Sequence, residues 1–138
     1  MVSDPVGDFV VQIMNASAVR KGAVSVPYSN LKTAIAETLV KAGYLKSATK
    51  RGKKVKKTLD VELLYETQEV GTMQGGTHVI RGVRRISKPG RRMYIGVEDI
   101  HPVKCGAGTL VLSTPLGILT GEDARRQRVG GEQLFIIW

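Results

Sequence analysis

Val6, Phe9, Val10, Ile13 and Met14 recur at the three- and four-residue spacing that gathers side chains on one face of a helix. Asp4 stands before them as an N-cap, and Pro5 fits the first helical position, where a missing N–H costs nothing. Residues 23–26 are a short apolar run with the composition of a strand. Leu31, Ile35 and Leu39 then restore the helical period, after a cap at Ser29 or Asn30 and before a glycine stop at Gly43. Residues 44–49 read as a strand, and Leu59, Val61, Leu63 and Tyr65 alternate as its returning neighbour. The predicted first half is an α-β-α-β-β unit, two helices on a three-stranded sheet.

Residues 68–76 contain three glycines and little apolar content, so they read as a linker or loose loop between domains at 1–67 and 77–138. Beyond it the periodicity is that of strands. Residues 78–87 predict one strand, Lys88-Pro89-Gly90-Arg91 a type II turn, and residues 92–97 the return. Residues 98–104 leave room for one helical turn before Pro102. Residues 109–114 and 134–138 add two more strands of a mainly antiparallel sheet. The run ends in Ser113 and Thr114, and Pro115 with Gly117 then turns the chain, which puts both hydroxyls at a tip rather than inside a sheet. Thr120 caps a short helix with Glu122 and Asp123 in its first turn, where the dipole favours acids, and Gly130-Gly131 ends it. The expected fold class is α+β, in two small domains.

Charge changes the picture. The 138 residues have a formal charge of +9, and windows 46–57 and 81–92 hold 13 of the 21 basic residues and none of the 12 acids. Such segregation favours a polyanion, because each neutralised phosphate releases condensed counterions. Chemistry of other kinds finds little support. There is no phosphate-binding Gly-Lys-Ser/Thr loop, and Cys105, His78 and His101 are scattered without metal-ligand spacing. Ser113 has no nucleophile elbow around it and no evident base. No enzyme activity, metal or cofactor is expected. One cysteine forms no internal disulfide, and no apolar run reaches membrane length, so the chain reads as cytoplasmic.

Several ordered motifs point to one family. Asp4-Pro5-x-x-Asp8, Val26-Pro27-Tyr28-Ser29-x-Leu31-Lys32, Lys88-Pro89-Gly90-Arg91-Arg92-x-Tyr94 and Ser113-Thr114-Pro115-x-Gly117-Ile118-Leu119-Thr120 are followed by Ala124-Arg125 and Val129-Gly130-Gly131-Glu132. Together they closely resemble the bacterial type of the eighth protein of the small ribosomal subunit. The resemblance implies a primary binder of a stem in the central domain of small-subunit ribosomal RNA that helps assemble the platform, next to proteins five and twelve of that subunit. Membrane partners, small-molecule substrates and an obligate homo-oligomer are not expected. The implied reading head is Ser113 and Thr114, with Tyr94, Arg91, Arg92 and Lys88 around it, and the basic window 81–92 adds Arg84 as a further candidate. Ser29, Lys32, Lys53 and Lys54 are expected to serve the RNA backbone from the first half. Hydroxyls suit such a role because they meet bases and 2′-OH groups as donor or acceptor. The family usually carries Ser-Thr-Ser at the tip, so Pro115 removes a hydroxyl and an N–H; Asn30 stands where lysine is frequent, and Gln12 and Met14 where basic residues are. The alternative function is a stand-alone RNA-binding regulator acting on its own messenger.

Overall fold

The computed structural model describes residues 4–52, 57–63, 65–66, 77–78, 80–102 and 108–138. The expected linker at 68–76, Lys53, Lys54 and Cys105 lie outside the described residues. Helix α1, Pro5–Ala18, begins as expected: the Asp4 carboxylate accepts from the Gly7 N–H at 3.1 Å. Its buried face is Val6, Phe9, Val10, Ile13, Ala16 and Ser17. Met14 is only half-buried, because at 100° per residue positions 16 and 17 continue the stripe better than position 14 does.

Strand β1, Ala23–Pro27, precedes helix α2, Asn30–Ala42. Ser29, not Asn30, is the cap, with its Oγ accepting from the Lys32 N–H at 3.1 Å. The apolar face is Ile35, Ala36 and Leu39; Leu31 is exposed, so burial starts one turn later than predicted. Strands β2, Leu45–Arg51, and β3, Thr58–Leu63, complete an antiparallel sheet of order β1-β3-β2. The short strands β4, Tyr65–Glu66, and β5, Thr77–His78, pair with each other on either side of the 68–76 segment.

The second half departs more from expectation. The long strand predicted at 78–87 is interrupted after β5; its regular part is β6, Val83–Arg85, and Gly82, Ile86 and Ser87 on either side of it also hydrogen-bond the backbone of residues 133–138. Residues 92–97 do not return beside β6 as a hairpin: β7, Tyr94–Ile95, runs in the same direction as β6 along the same edge of the C-terminal strand, and a single 3-10 turn follows at Val97–Asp99. Strand β8, Thr109–Thr114, pairs with β9, Gly117–Thr120, which the turn residues around it had hidden. Helix α3, Gly121–Gln127, is capped by Thr120 as predicted, with Oγ1 accepting from the Asp123 N–H at 3.2 Å. It ends at Arg128 in the left-handed region, not at the glycine pair. Strand β10, Gly131–Ile137, is central, with β8 on one edge and β6 and β7 end to end along the other.

The fold is therefore α+β, as expected. One apolar core runs through both halves, uniting Phe9, Ile13, Ile35, Leu39 and Val61 with Val111, Phe135 and Ile137. Burying each such side chain is worth about 1.5–3 kcal/mol. The opposite face of the second sheet packs Leu110 and Leu112 on Ala124 of α3 and on Ile100. Two polar links cross between the halves along α2: the Thr38 hydroxyl, shared with the Ala34 carbonyl at 2.8 Å, lies 3.2 Å from the Ile118 carbonyl, and just beyond the helix Tyr44 Oη meets Thr109 Oγ1 at 3.2 Å.

Candidate nucleic-acid interface

The β8–β9 hairpin sets the hydroxyl residues. Ser113 and Thr114 do not hang beyond the sheet, as their sequence suggested; they are its last paired rungs, opposite Ile118 and Gly117. Two residues, Pro115 and Leu116, make the turn, and Gly117 at φ 115° takes a backbone conformation that side chains disfavour so that the return strand starts at once. Thr114 Oγ1 donates to the Gly117 carbonyl at 2.7 Å and accepts from the Leu116 N–H at 3.2 Å. Its hydroxyl proton is spent on its own turn, leaving an acceptor lone pair for a ligand. Ser113 Oγ has no hydrogen bond among the described residues and is half-buried.

Register joins Ser113 to the aromatic predicted with it. Glu132 on β10 lies opposite Ser113 on one side and opposite Tyr94 on the other. Directly paired residues share a sheet face, so Tyr94, Glu132, Ser113 and Ile118 form one transverse row. Tyr94 is 71% exposed. Arg92 Nη1 reaches Glu132 Oε1 at 3.7 Å, which tethers a basic side chain to the middle of that row. The glycine pair has its real task here. A Cβ on Gly131 would fall on the Ser113 carbonyl, and one on Gly130 on the Ile95 carbonyl. Only bare backbone lets β7, β10 and β8 close up at this end.

Lys88 and Arg91 stand beside the row on a closed loop. Each donates its backbone N–H to the other's carbonyl, both at 2.9 Å, around Pro89 and Gly90. Gly90 does not have positive φ, so the turn is not type II; the left-handed region that glycine would have supplied is not used. Ser87 pinches the base of this loop. It is fully buried, and its Oγ accepts from the Met93 N–H at 2.9 Å and donates to the Met93 carbonyl at 3.2 Å. Arg85 anchors Ser87 in turn, donating to its carbonyl at 2.5 Å and to the Asp4 carboxylate at 2.7 Å. So one of the basic residues of window 81–92 is an internal tie between the cap of α1 and the loop. Burial raises the Asp4 pKa, but the Arg85 hydrogen bond, the Gly7 N–H and the charges of Arg85 and Arg92 outweigh it and hold it below the usual value.

Arg84 is exposed but pairs with Ile136, whose row includes Leu110, and so lies on the face opposite Ser113. The structure does not bring it to the row. Ser29 and Lys32, both half-buried, belong to the start of α2. The helix runs from there to Thr38, beside Ile118, and on to Tyr44, beside Thr109, so its N-terminus is directed toward the Ser113 end of the sheet. Lys32 Nζ lies 3.5 Å from the Pro27 carbonyl. A cleft of about 640 Å³ between α2, α3 and Thr109 has none of the predicted site residues in its lining.

Sequence reasoning overlooked Glu132, Ser87 and the true task of Gly130-Gly131. Only the glycine doublet carries a sequence signal, and in sequence it looks like a helix stop. Among the described residues no group of three or more His, Cys, Asp or Glu is placed to hold a metal, and no helix is long and apolar enough to cross a membrane.

Comparison with known proteins matches residues 4–138 to the family model described as Ribosomal protein S8. The small ribosomal subunit protein uS8 of Fervidobacterium nodosum is 42% identical over 138 residues, all of both chains. That of Thermus aquaticus is 38% identical over the full length of both, and that of Dictyoglomus thermophilum 42% identical over 99% of this chain and 98% of its own. With the motifs, the α+β fold and full-length similarity in agreement, the chain belongs to the ribosomal protein S8 family, a family of small-subunit ribosomal proteins.

Proposed function

We propose that this protein is a structural, RNA-binding constituent of the small ribosomal subunit that grips an irregular stem in the central domain of its ribosomal RNA. The observation that supports this best is the row Tyr94–Glu132–Ser113, with Arg92 tethered at its centre. It sets an exposed ring, a free hydroxyl and a guanidinium in one line on a rigid sheet. Rings stack on splayed bases, hydroxyls meet base edges and 2′-OH groups, and cations meet phosphates, so the row offers the three contacts that recognition of an irregular RNA requires. Lys88 and Arg91 extend the charge along the adjacent loop, and Ser29 with Lys32 supplies a second approach from the helix α2 terminus.

In this reading the base and ribose contacts come from 77–138, and 1–67 serves the RNA backbone. Lys53 and Lys54 belong to the second set. Proteins five and twelve of the subunit are its neighbours, and platform assembly is the outcome of its binding. Footprinting of the protein on small-subunit ribosomal RNA tests the proposal: protection is expected on one bulged stem of the central domain. Protection spread evenly over regular duplexes would reject it.

A further inference from the structure

Where β1 leaves its sheet, the Tyr28 N–H donates to the Lys57 carbonyl at 3.1 Å, continuing the β1–β3 ladder by one bond. That bond fixes the Tyr28 ring at the mouth of the β2–β3 hairpin. Lys50 Nζ lies 4.7 Å from the ring centroid and Lys57 Nζ 5.8 Å. The phenol also donates to Asn30 Oδ1 at 3.0 Å, in the first turn of α2. Neither Lys50 nor Lys57 has a carboxylate partner among the described residues; the nearby acid Asp60 is paired with Arg51 at 3.0 Å. Two exposed ammonium groups without counter-charge repel each other, and one aromatic ring holds both within about 6 Å, the usual reach of a cation–π contact. A phosphate would supply the counter-charge that the described residues do not.

We infer that Tyr28 is the positioning residue of a phosphate clamp in which its ring gathers Lys50 and Lys57 beside Ser29 and Lys32 to take the backbone of an RNA strand. This rests on the RNA-binding reading above and adds to it a site with a defined centre. An aromatic ring orients the ammonium groups without cancelling their charge, whereas a carboxylate in the same place would compete with the phosphate. The clamp belongs to the first half of the chain, whereas the Ser113 row belongs to the second, and it reads no sequence; it sets where the strand enters.

The full chain and its cognate RNA stem provide the test, with Kd measured against salt concentration for Tyr28→Leu, Tyr28→Phe and the double variant Lys50→Gln/Lys57→Gln. For Tyr28→Leu we expect affinity reduced about three- to tenfold and a log–log salt slope shallower by about 0.7–0.9 for each phosphate that is no longer neutralised. Tyr28→Phe keeps the ring and should keep the wild-type slope. The double variant changes only exposed side chains and should reproduce the shallower slope, with no further loss when combined with Tyr28→Leu. A double variant of unchanged slope overturns the clamp, as does a Tyr28→Phe slope as shallow as that of Tyr28→Leu. Inorganic phosphate competing at millimolar concentration as well as the RNA does would mean a generic anion site and would also overturn it. Failure of the wild type to bind the stem would sink the RNA reading itself, a result distinct from all of these.

Discussion

Ser113 and Thr114 are adjacent, yet their hydroxyls stand in different situations. Thr114 Oγ1 holds the tip turn through two hydrogen bonds, while Ser113 Oγ is unengaged among the described residues. Ser113→Ala should therefore reduce discrimination between the cognate bulged stem and a regular duplex by about 0.5–1.5 kcal/mol with no change in melting temperature. Thr114→Ala should lower both, because the turn loses a donor and an acceptor. Competition binding at fixed salt, paired with thermal melting, separates the two; equal shifts on cognate and control RNA by Ser113→Ala would remove that residue from the reading head. Gly131→Ala is the harsher change at this scale. Its Cβ would meet the Ser113 carbonyl, so β8 or β10 must move apart. A drop in stability of at least about 2 kcal/mol is expected by denaturant unfolding, in the range of backbone and packing clashes.

Among elements, the tie between helix α1 and the basic loop stands out. Asp4 caps α1, pairs with Arg85, and through Arg85 and Ser87 steadies the loop of Lys88 and Arg91. Asparagine caps helices about as well as aspartate, so Asp4→Asn isolates the ion pair from the cap. Both side chains are mostly buried, and we expect a loss of about 1–3 kcal/mol at neutral pH, below the ~3–5 of a fully buried pair. The sign with pH follows from the lowered Asp4 pKa. Its stabilisation is complete above the ordinary aspartate pKa of about 3.9 and is lost as pH falls through the folded-state value. The gap between wild type and Asp4→Asn should thus close in acid, as urea midpoints at pH 7 and pH 3 would reveal. A gap constant over that range would discount the pair.

Both helices of the first half were legible in the sequence because their information is local: a cap and a period in each, and a glycine stop at Gly43 for the second. The hydroxyl motif and Tyr94 were legible as residues, but not their meeting, which depends on Glu132 pairing with both across two strand edges. Strands β6 and β7 were overextended for the same reason. Their lengths are set by the edge of β10 that they share, not by the apolar content of residues 78–97. Ser87 was invisible in a basic window, since its use comes from a backbone contact six residues away.

At the scale of the whole molecule, positive charge is arranged on two fronts, the loop beside Tyr94 and the hairpin beside Tyr28. If six to ten phosphates are engaged, affinity should drop about 10³–10⁵-fold between roughly 50 and 200 mM salt by the relation for duplex DNA, and somewhat less for RNA. Filter binding across that range tests the combined fronts, and a flat response would contradict them.

The position of β10 at the centre of its sheet carries a consequence for the order of events during synthesis. Strands β6, β7 and β8 all lean on it, and Tyr44 also donates to the Ile137 carbonyl at 3.3 Å, 93 residues along the chain. Contacts of such separation close slowly, because loop entropy must be overcome before they reward the chain. A ribosome that has made everything up to Gly130 has therefore made every basic residue of the protein but no recognition row. Such a nascent chain can hold RNA only by charge, without choosing among stems. Selectivity arrives in one step when β10 emerges and the sheet closes around it. Released chains ending at Gly130 and at Trp138, compared for cognate over scrambled RNA, should differ in preference far more than in total binding.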